Sequence, residues 1–321
     1  KQIAAGLKGV TDGEFRRAYW HLDFFWGLNG IEHVQGEKGY AFKGIETKPD
    51  TAKVSGKISG ENHPFVEHFK FVKQFEDEHT TARQTIPAPS QFLAELFRED
   101  NGTVTRSFYP DLEELIQDIA AAYRQVIKDL YEAGCRNIQF DDCTWGMCCD
   151  HGYWTGRQKD KSVTIEGETA KYLRVNNLAL EGRPQDLAFT THVCRGNYNS
   201  TWAASGGYEP VAPILFAKEN VDAYYLEFDD ERSGGFEPLR EVSANKKVVL
   251  GLITTKRPEL EAKEAIKERI KEATKYIPLE RLCLSPQCGF ASCEIGNQLT
   301  EEEQWAKLAL VKEIAHEVWG D

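Results

Sequence analysis

Residues 111–142 read DLEELIQDIAAAYRQVIKDLYEAGCRNIQFDD, and this stretch decides the fold. Asp111 and Glu114 have the spacing of a capping box. Behind them Leu112, Leu115, Ile116, Ile119, Tyr123, Val126, Ile127 and Leu130 recur at i, i+3, i+4 and i+7, the period of an amphipathic helix. Gly134 stops the helix, and residues 137–140 then read as a short buried strand. The unit is one helix feeding one strand.

The same alternation continues four more times downstream. Strands are expected at 188–194, 223–228, 248–253 and 282–284, with helical stretches at 165–181, 210–219, 236–244 and 258–275. Thr300 with Glu303 caps a final helix running to Val318. Five strands each followed by a helix imply parallel pairing through right-handed crossovers. Two further strand candidates lie upstream, at 7–11 and 83–87, making seven. A doubly wound open sheet would carry a Gly-rich phosphate turn after its first strand, and no G-x-G-x-x-G is present. The expected fold is therefore α/β: a (β/α)8 TIM barrel over residues 1–321 as a single domain. Its first strand is expected to be missing, and Lys1 to sit in the tail of a helix. Residues 29–62, rich in Gly, Lys and Thr, are expected to form an inserted hairpin or excursion.

Composition narrows the function classes. The chain holds 39 Lys+Arg against 51 Asp+Glu, a net charge of −12, which argues against a surface that grips nucleic acid. No apolar run reaches the roughly 18 residues a membrane helix needs, and residues 1–25 show no signal-peptide pattern. The expectation is a cytoplasmic protein whose partners are small molecules. Nothing in the sequence fixes an oligomeric state. Eight cysteines are too few for a disulfide scaffold, so each is a buried thiol or a chemical group.

In a barrel the chemistry sits where strands end. Here strands end in Thr11-Asp12-Gly13-Glu14, Gln139-Phe140-Asp141-Asp142, Thr191-His192-Val193-Cys194, Leu226-Glu227-Phe228-Asp229 and Ser285-Pro286-Gln287-Cys288-Gly289. His192 and Cys194, two apart on a strand, face the same way. With Glu227 and Cys288 they make a four-coordinate set of two thiolates, one imidazole and one carboxylate, a donor set that suits zinc. The set is drawn from three strand ends, not from local C-x-x-C knuckles, which suggests a metal placed for chemistry. Asp229 competes with Glu227 for its place, and Cys293 with Cys288. Cys135 and Cys283 read as core. Cys143, Cys148 and Cys149 cluster with Trp145 in a loop without metal-ligand spacing.

The series Asp12-Gly13-Glu14-Phe15-Arg16-Arg17, Gln139-Phe140-Asp141-Asp142, His192-Val193-Cys194, Glu227 with Arg232-Ser233, and Ser285-Pro286-Gln287-Cys288-Gly289-Phe290 resembles the carboxy-terminal catalytic barrel of cobalamin-independent methionine synthase. The likeness is to the short, single-barrel members and extends over nearly the whole chain. The resemblance implies a (β/α)8 fold and a zinc ion held by His192, Cys194, Glu227 and Cys288 that binds the thiol of homocysteine. It implies that Glu14 contacts the amino-acid substrate, that Asp141 holds its ammonium, and that the methyl donor is a methylated folate. Lys256 stands where the family places a histidine implicated in proton transfer, which leaves the catalytic acid unassigned. Two other readings share the same residues. One is a zinc-thiolate alkyltransferase using another thiol or a corrinoid methyl donor, and the other is a non-catalytic binding protein stapled by zinc.

Overall fold

The computed structural model describes residues 1–157 and 163–320. Its frame consists of parallel strands in chain order: β1 (Gly9–Val10), β2 (Thr81–Ala82), β3 (Gln84–Pro87), β4 (Asn137–Asp142), β5 (Ala188–Val193), β6 (Ala223–Glu227), β7 (Lys247–Ile253) and β8 (Leu282–Pro286). β1 pairs with β2, and β3 through β8 form one sheet in sequential order. β2 and β3 are two halves of one stave. Between them the Arg83 amide donates to Val10 O at 2.8 Å and carries the ladder across. The eight segments are thus seven staves, the same seven the sequence predicts, in a TIM-barrel-like α/β fold. Among the described residues no ladder joins β1 to β8. Residues 1–6 form one helix-like turn, with the Ala5 amide on Lys1 O at 2.8 Å, that ends at Gly6 with φ +83°.

The strands are covered on both faces, so β7 is buried from Val248 to Ile253, as expected for a parallel sheet under helices. The helix Leu112–Glu132 buries seven of the eight apolar positions read from its sequence; Leu112, in the first turn, stays exposed. Its cap differs from the predicted box. Asp111 accepts from the Glu113 amide, while Glu114 turns away to Lys57 at 3.3 Å. The last helix, Glu301–Trp319, has the complete box between Thr300 and Glu303.

Two helical expectations shrink. At 236–244 only the 3-10 turn Glu237–Glu241 forms, because Pro238 brings no amide proton and Val242 leaves the helical region with ψ 118°. At 258–275 the helix begins at Lys263. The segment before it is used as a strap: Glu261 accepts from the Thr254 amide at 2.9 Å and from Lys307 at 3.2 Å.

In the 29–62 excursion, Asn29–Gln35 pairs antiparallel with Asp50–Ser59, and a small hairpin joins Ala41–Phe42 to Ile45–Glu46. The hairpin tip reaches back over the barrel mouth. Phe42 stacks on Tyr198 with centroids 5.0 Å apart, and Lys43 lies 4.5 Å over the Trp202 ring.

One glycine sets the spacing of the rim. Gly251 on β7 pairs with Glu227 on one side and Ser285 on the other. A Cβ there would lie 2.7 Å from both Leu226 O and the Cα of Gln287. Only glycine lets the strand that ends in Glu227 and the loop that carries Cys288 close on each other.

Candidate metal centre

The four residues sit where their strands run out. His192 is on β5, and Cys194 follows it by two, with its amide on Asp142 O at 3.0 Å so that the ladder continues one step past the strand. Glu227 closes β6. Cys288 follows β8 in a loop pinned by Gln287, whose amide donates to Ile253 O at 2.8 Å and whose side-chain oxygen accepts from the Thr255 amide at 2.6 Å.

One ligand atom from each of His192, Cys194, Glu227 and Cys288 lies within 4.8 Å of the other three. The sulfurs of Cys194 and Cys288 are 3.7 Å apart, and Cys194 Sγ is 3.6 Å from Glu227 Oε1. His192 Nδ1 donates to the Tyr225 carbonyl at 3.2 Å, which leaves Nε2 as the free lone pair. His192 Nε2 is buried without a hydrogen-bond partner among the described residues. An orphaned imidazole nitrogen is rare in a finished interior and is what a bound cation would satisfy. The donor set fits a four-coordinate metal.

The electrostatics point the same way. Hydrogen bonds from Cys143 and Cys288 hold Cys194 well below the usual thiol range. Burial pushes Glu227 up to about 7, and the Cys194 charge adds to it. Burial disfavours a charged His192, yet its contact with Cys194 and the charges of Cys194, Asp141 and Glu227 outweigh that and raise it to about 9. A cluster that draws a proton onto a buried imidazole has room for a cation. Behind Glu227 stand two buried guanidiniums, Arg232 at 3.5 Å and Arg195 at 3.9 Å from Oε2. Arg232 also holds Asp229 at 2.8 Å, so Asp229 is taken and does not compete with Glu227. Cys293 bridges to Tyr19 and lies outside the four-atom cluster. Cys135 is buried in the core.

Asp141 and Asp142 illustrate the two-residue period of a strand. Asp141, paired in register with His192, faces the barrel interior and accepts from Gln139 Nε2 at 2.7 Å. Burial raises its pKa. Asp142 faces the helices, where Ser90, Thr144 and Asn176 satisfy it. Glu14 follows Gly13 with both residues left-handed, at φ 58° and 63°. A non-glycine residue held there costs about 1–3 kcal/mol and needs local support. Asp12 Oδ1 gives it by accepting from the Glu14 amide at 2.8 Å. The Glu14 carboxylate accepts from Arg17 and from Thr85 Oγ1, each at 3.0 Å. Burial pushes it up to about 7 against the pull of Arg17. Glu14, Asp141, His192, Cys194 and Cys288 line one cavity of about 2270 Å³.

Lys256 donates to Asn197 Oδ1 at 2.9 Å and to Thr201 O at 3.0 Å, and so ties the turn after β7 to the loop after Cys194. The grouping of Cys143, Cys148 and Cys149 in a loop is corrected. Residues Thr144–Cys149 form a short helix, Cys148 and Cys149 are buried in the core, and Cys143, like Cys148, lines the cavity that Cys194 also lines. The signal was present: Cys143 stands two residues after Asp141, as Cys194 stands two after His192.

Comparison with known proteins follows this geometry. The family described as cobalamin-independent synthase, catalytic domain, matches residues 88–317, well over half of the chain. The chain belongs to that family. The matched range contains Asp141 and all four clustered residues, and leaves Glu14 outside. The chain is 45% identical to the uncharacterized protein YxjH of Bacillus subtilis, over 99% of this chain and 83% of that protein. It is 26% identical to a methionine synthase of Saccharolobus solfataricus, over 89% of this chain and 73% of that one. The crystal structure of a putative vitamin-B12-independent methionine synthase from Listeria monocytogenes superposes with a TM-score of 0.75 at 37% identity, covering all of this chain and 84% of that one. A B12-independent methionine synthase from Shewanella, solved with selenomethionine, gives 0.72 at 22% identity over 99% of this chain and 84% of that one, a likeness of fold. Among the described residues no helix is long and apolar enough to cross a membrane.

Proposed function

We propose that the protein is a zinc-dependent thiol methyltransferase that makes methionine from homocysteine with a methylated folate as donor. The observation that carries this reading is the cluster of His192, Cys194, Glu227 and Cys288, with the His192 Nε2 left without a hydrogen-bond partner, at the rim of a cavity that also holds Asp141 and Glu14.

A free thiol ionises near pH 8.5, so only a few per cent is thiolate at neutral pH. Zinc held by the four residues would supply the Lewis acidity that makes the substrate sulfur a nucleophile. The protein's own groups do the rest. Tyr225 O fixes the imidazole so that Nε2 points into the cluster, and Arg195 and Arg232 hold the Glu227 carboxylate from behind. Asp141, oriented by Gln139, takes the substrate ammonium, with Glu14 as the second carboxylate across the cavity. The amino acid is thereby set with its sulfur toward the cluster, and the thiolate attacks the methyl carbon in line.

One observation favours a second donor. The tertiary amine of a folate leaves only when protonated, and Lys256 stands where the family carries a histidine, with its ammonium engaged by Asn197 and Thr201. A corrinoid methyl donor needs no such proton. Zinc-loaded protein is therefore to be incubated with homocysteine and either a methyltetrahydrofolate or methylcobalamin, with methionine read by mass spectrometry. Methionine from the folate is the expected result, and methionine from methylcobalamin alone would establish the second reading. Neither donor working with any thiol would overturn both.

A further inference from the structure

Asn197 stands three residues after Cys194, in the loop that leaves β5, and its side chain is bonded at both ends. Lys256 Nζ donates to Oδ1 at 2.9 Å. Nδ2 donates to Gly289 O at 2.6 Å and to Ser292 Oγ at 3.1 Å. The amide has one workable orientation. An ammonium has only protons to give and a peptide carbonyl only lone pairs, so Oδ1 faces Lys256 and Nδ2 faces Gly289. Gly289 directly follows Cys288. The buried Asn197 amide therefore bolts the loop after Cys194 to the loop after Cys288.

The first of these loops is strained as well as tied. Tyr198 and Thr201 close a tight turn through two backbone hydrogen bonds, and between them Asn199 and Ser200 are left-handed at φ 44° and 64°. Each such residue costs about 1–3 kcal/mol and persists only under outside support. Lys256 Nζ supplies some of it by donating to Thr201 O at 3.0 Å, and Ser200 Oγ donates to Asn297 Oδ1 at 2.8 Å. Thr255, beside Lys256, also donates to Gly289 O through Oγ1, at 3.2 Å. The outcome is a matched spacing. Two thiolates each about 2.3 Å from one tetrahedral zinc stand about 3.8 Å apart, and the sulfurs of Cys194 and Cys288 are 3.7 Å apart.

We propose that Asn197, oriented by Lys256, is a positioning residue that sets the separation of Cys194 and Cys288 and thereby the affinity of the metal site. The inference rests on the metal-centre reading above. Two thiolates repel at this distance, so the loops that carry them need a neutral tie that holds them together. A pair held in place spares the ion the cost of ordering the loops. Lys256 thereby has a task other than moving a proton.

The test titrates the metal-free full chain with zinc in competition with a chromophoric chelator. Asn197→Asp keeps the shape and the acceptor for Lys256 but sets an oxygen against Gly289 O. It should bind zinc about 10–100-fold more weakly than wild type, the usual effect of losing a group that orients a ligand. Loaded with cobalt instead, it should show weaker tetrahedral absorption bands than wild type. Lys256→Met, which frees Oδ1, should lose about tenfold in zinc affinity, the factor that a hydrogen bond worth about 1.4 kcal/mol represents. Ser200→Ala loosens the same turn without touching the amide and should bind zinc as wild type does. An unchanged affinity or an unchanged cobalt spectrum in Asn197→Asp would overturn the proposal, and so would an equal loss in Ser200→Ala. If Asn197→Asp does not fold, an unchanged affinity in Lys256→Met overturns it alone. Wild-type protein without affinity for zinc would overturn the metal reading itself, a result distinct from equal affinities. No methyl donor takes part, so failure of the methionine assay leaves the titration readable.

Discussion

Cys288→Ser, purified beside the wild type, is expected to retain less than about a tenth of the zinc and to lose at least about a thousandfold in methyl transfer. Structural zinc sites gain about 10–16 kcal/mol from their ligands together, so one strong thiolate out of four carries a large share. Serine offers a hydroxyl that does not ionise at neutral pH, and the loop pinned by Gln287 holds it where the sulfur was. The neighbouring Cys194 sulfur, 3.7 Å away, cannot serve in its place because it is already part of the cluster. Metal analysis by plasma mass spectrometry reads the first effect and the methionine assay the second. A variant with full zinc would remove Cys288 from the site. One with full zinc and no activity would give it a role other than holding metal.

Asp141→Asn should lower kcat/KM for homocysteine about a hundredfold, through KM, with zinc content unchanged. Truncating one partner of a buried, hydrogen-bonded charge pair costs about 2–5 kcal/mol, much of it from the unpaired charge left behind. Asparagine keeps the shape and the contact with Gln139 but removes the charge that answers the ammonium. The control is a thiol without an amino group. Methyl transfer to such a thiol should be nearly as fast in Asp141→Asn as in wild type. An equal loss for both thiols would mean that Asp141 acts through the fold or the metal and not through the substrate.

The frame was legible because its signals are local. The period of residues 111–130, the Thr300–Glu303 box and the short apolar runs each report an element without reference to the rest. The convergence of His192, Cys194, Glu227 and Cys288 followed once the strand ends were placed, because a barrel brings strand ends to one rim. What the sequence reading missed depends on register. Cys143 was grouped with its chain neighbours Cys148 and Cys149, although its partner in space is Cys194 on the next strand. Arg195 carries no local signal in the sequence, yet it is fully buried over the Tyr208 ring and faces Glu227. The late start of the helix at 258–275 has a related cause: Glu261 is spent on ties to Thr254 and Lys307 that no local pattern announces. The short turn at 236–244 differs, because its breaker, Pro238, stands in the sequence.

X-ray absorption at the zinc edge of the freshly purified wild-type protein tests the whole account most directly. One equivalent of zinc with two sulfurs at about 2.3 Å and nitrogen or oxygen donors at about 2.0–2.2 Å is the predicted result. Protein that binds no zinc, or zinc surrounded by light atoms alone, would contradict it.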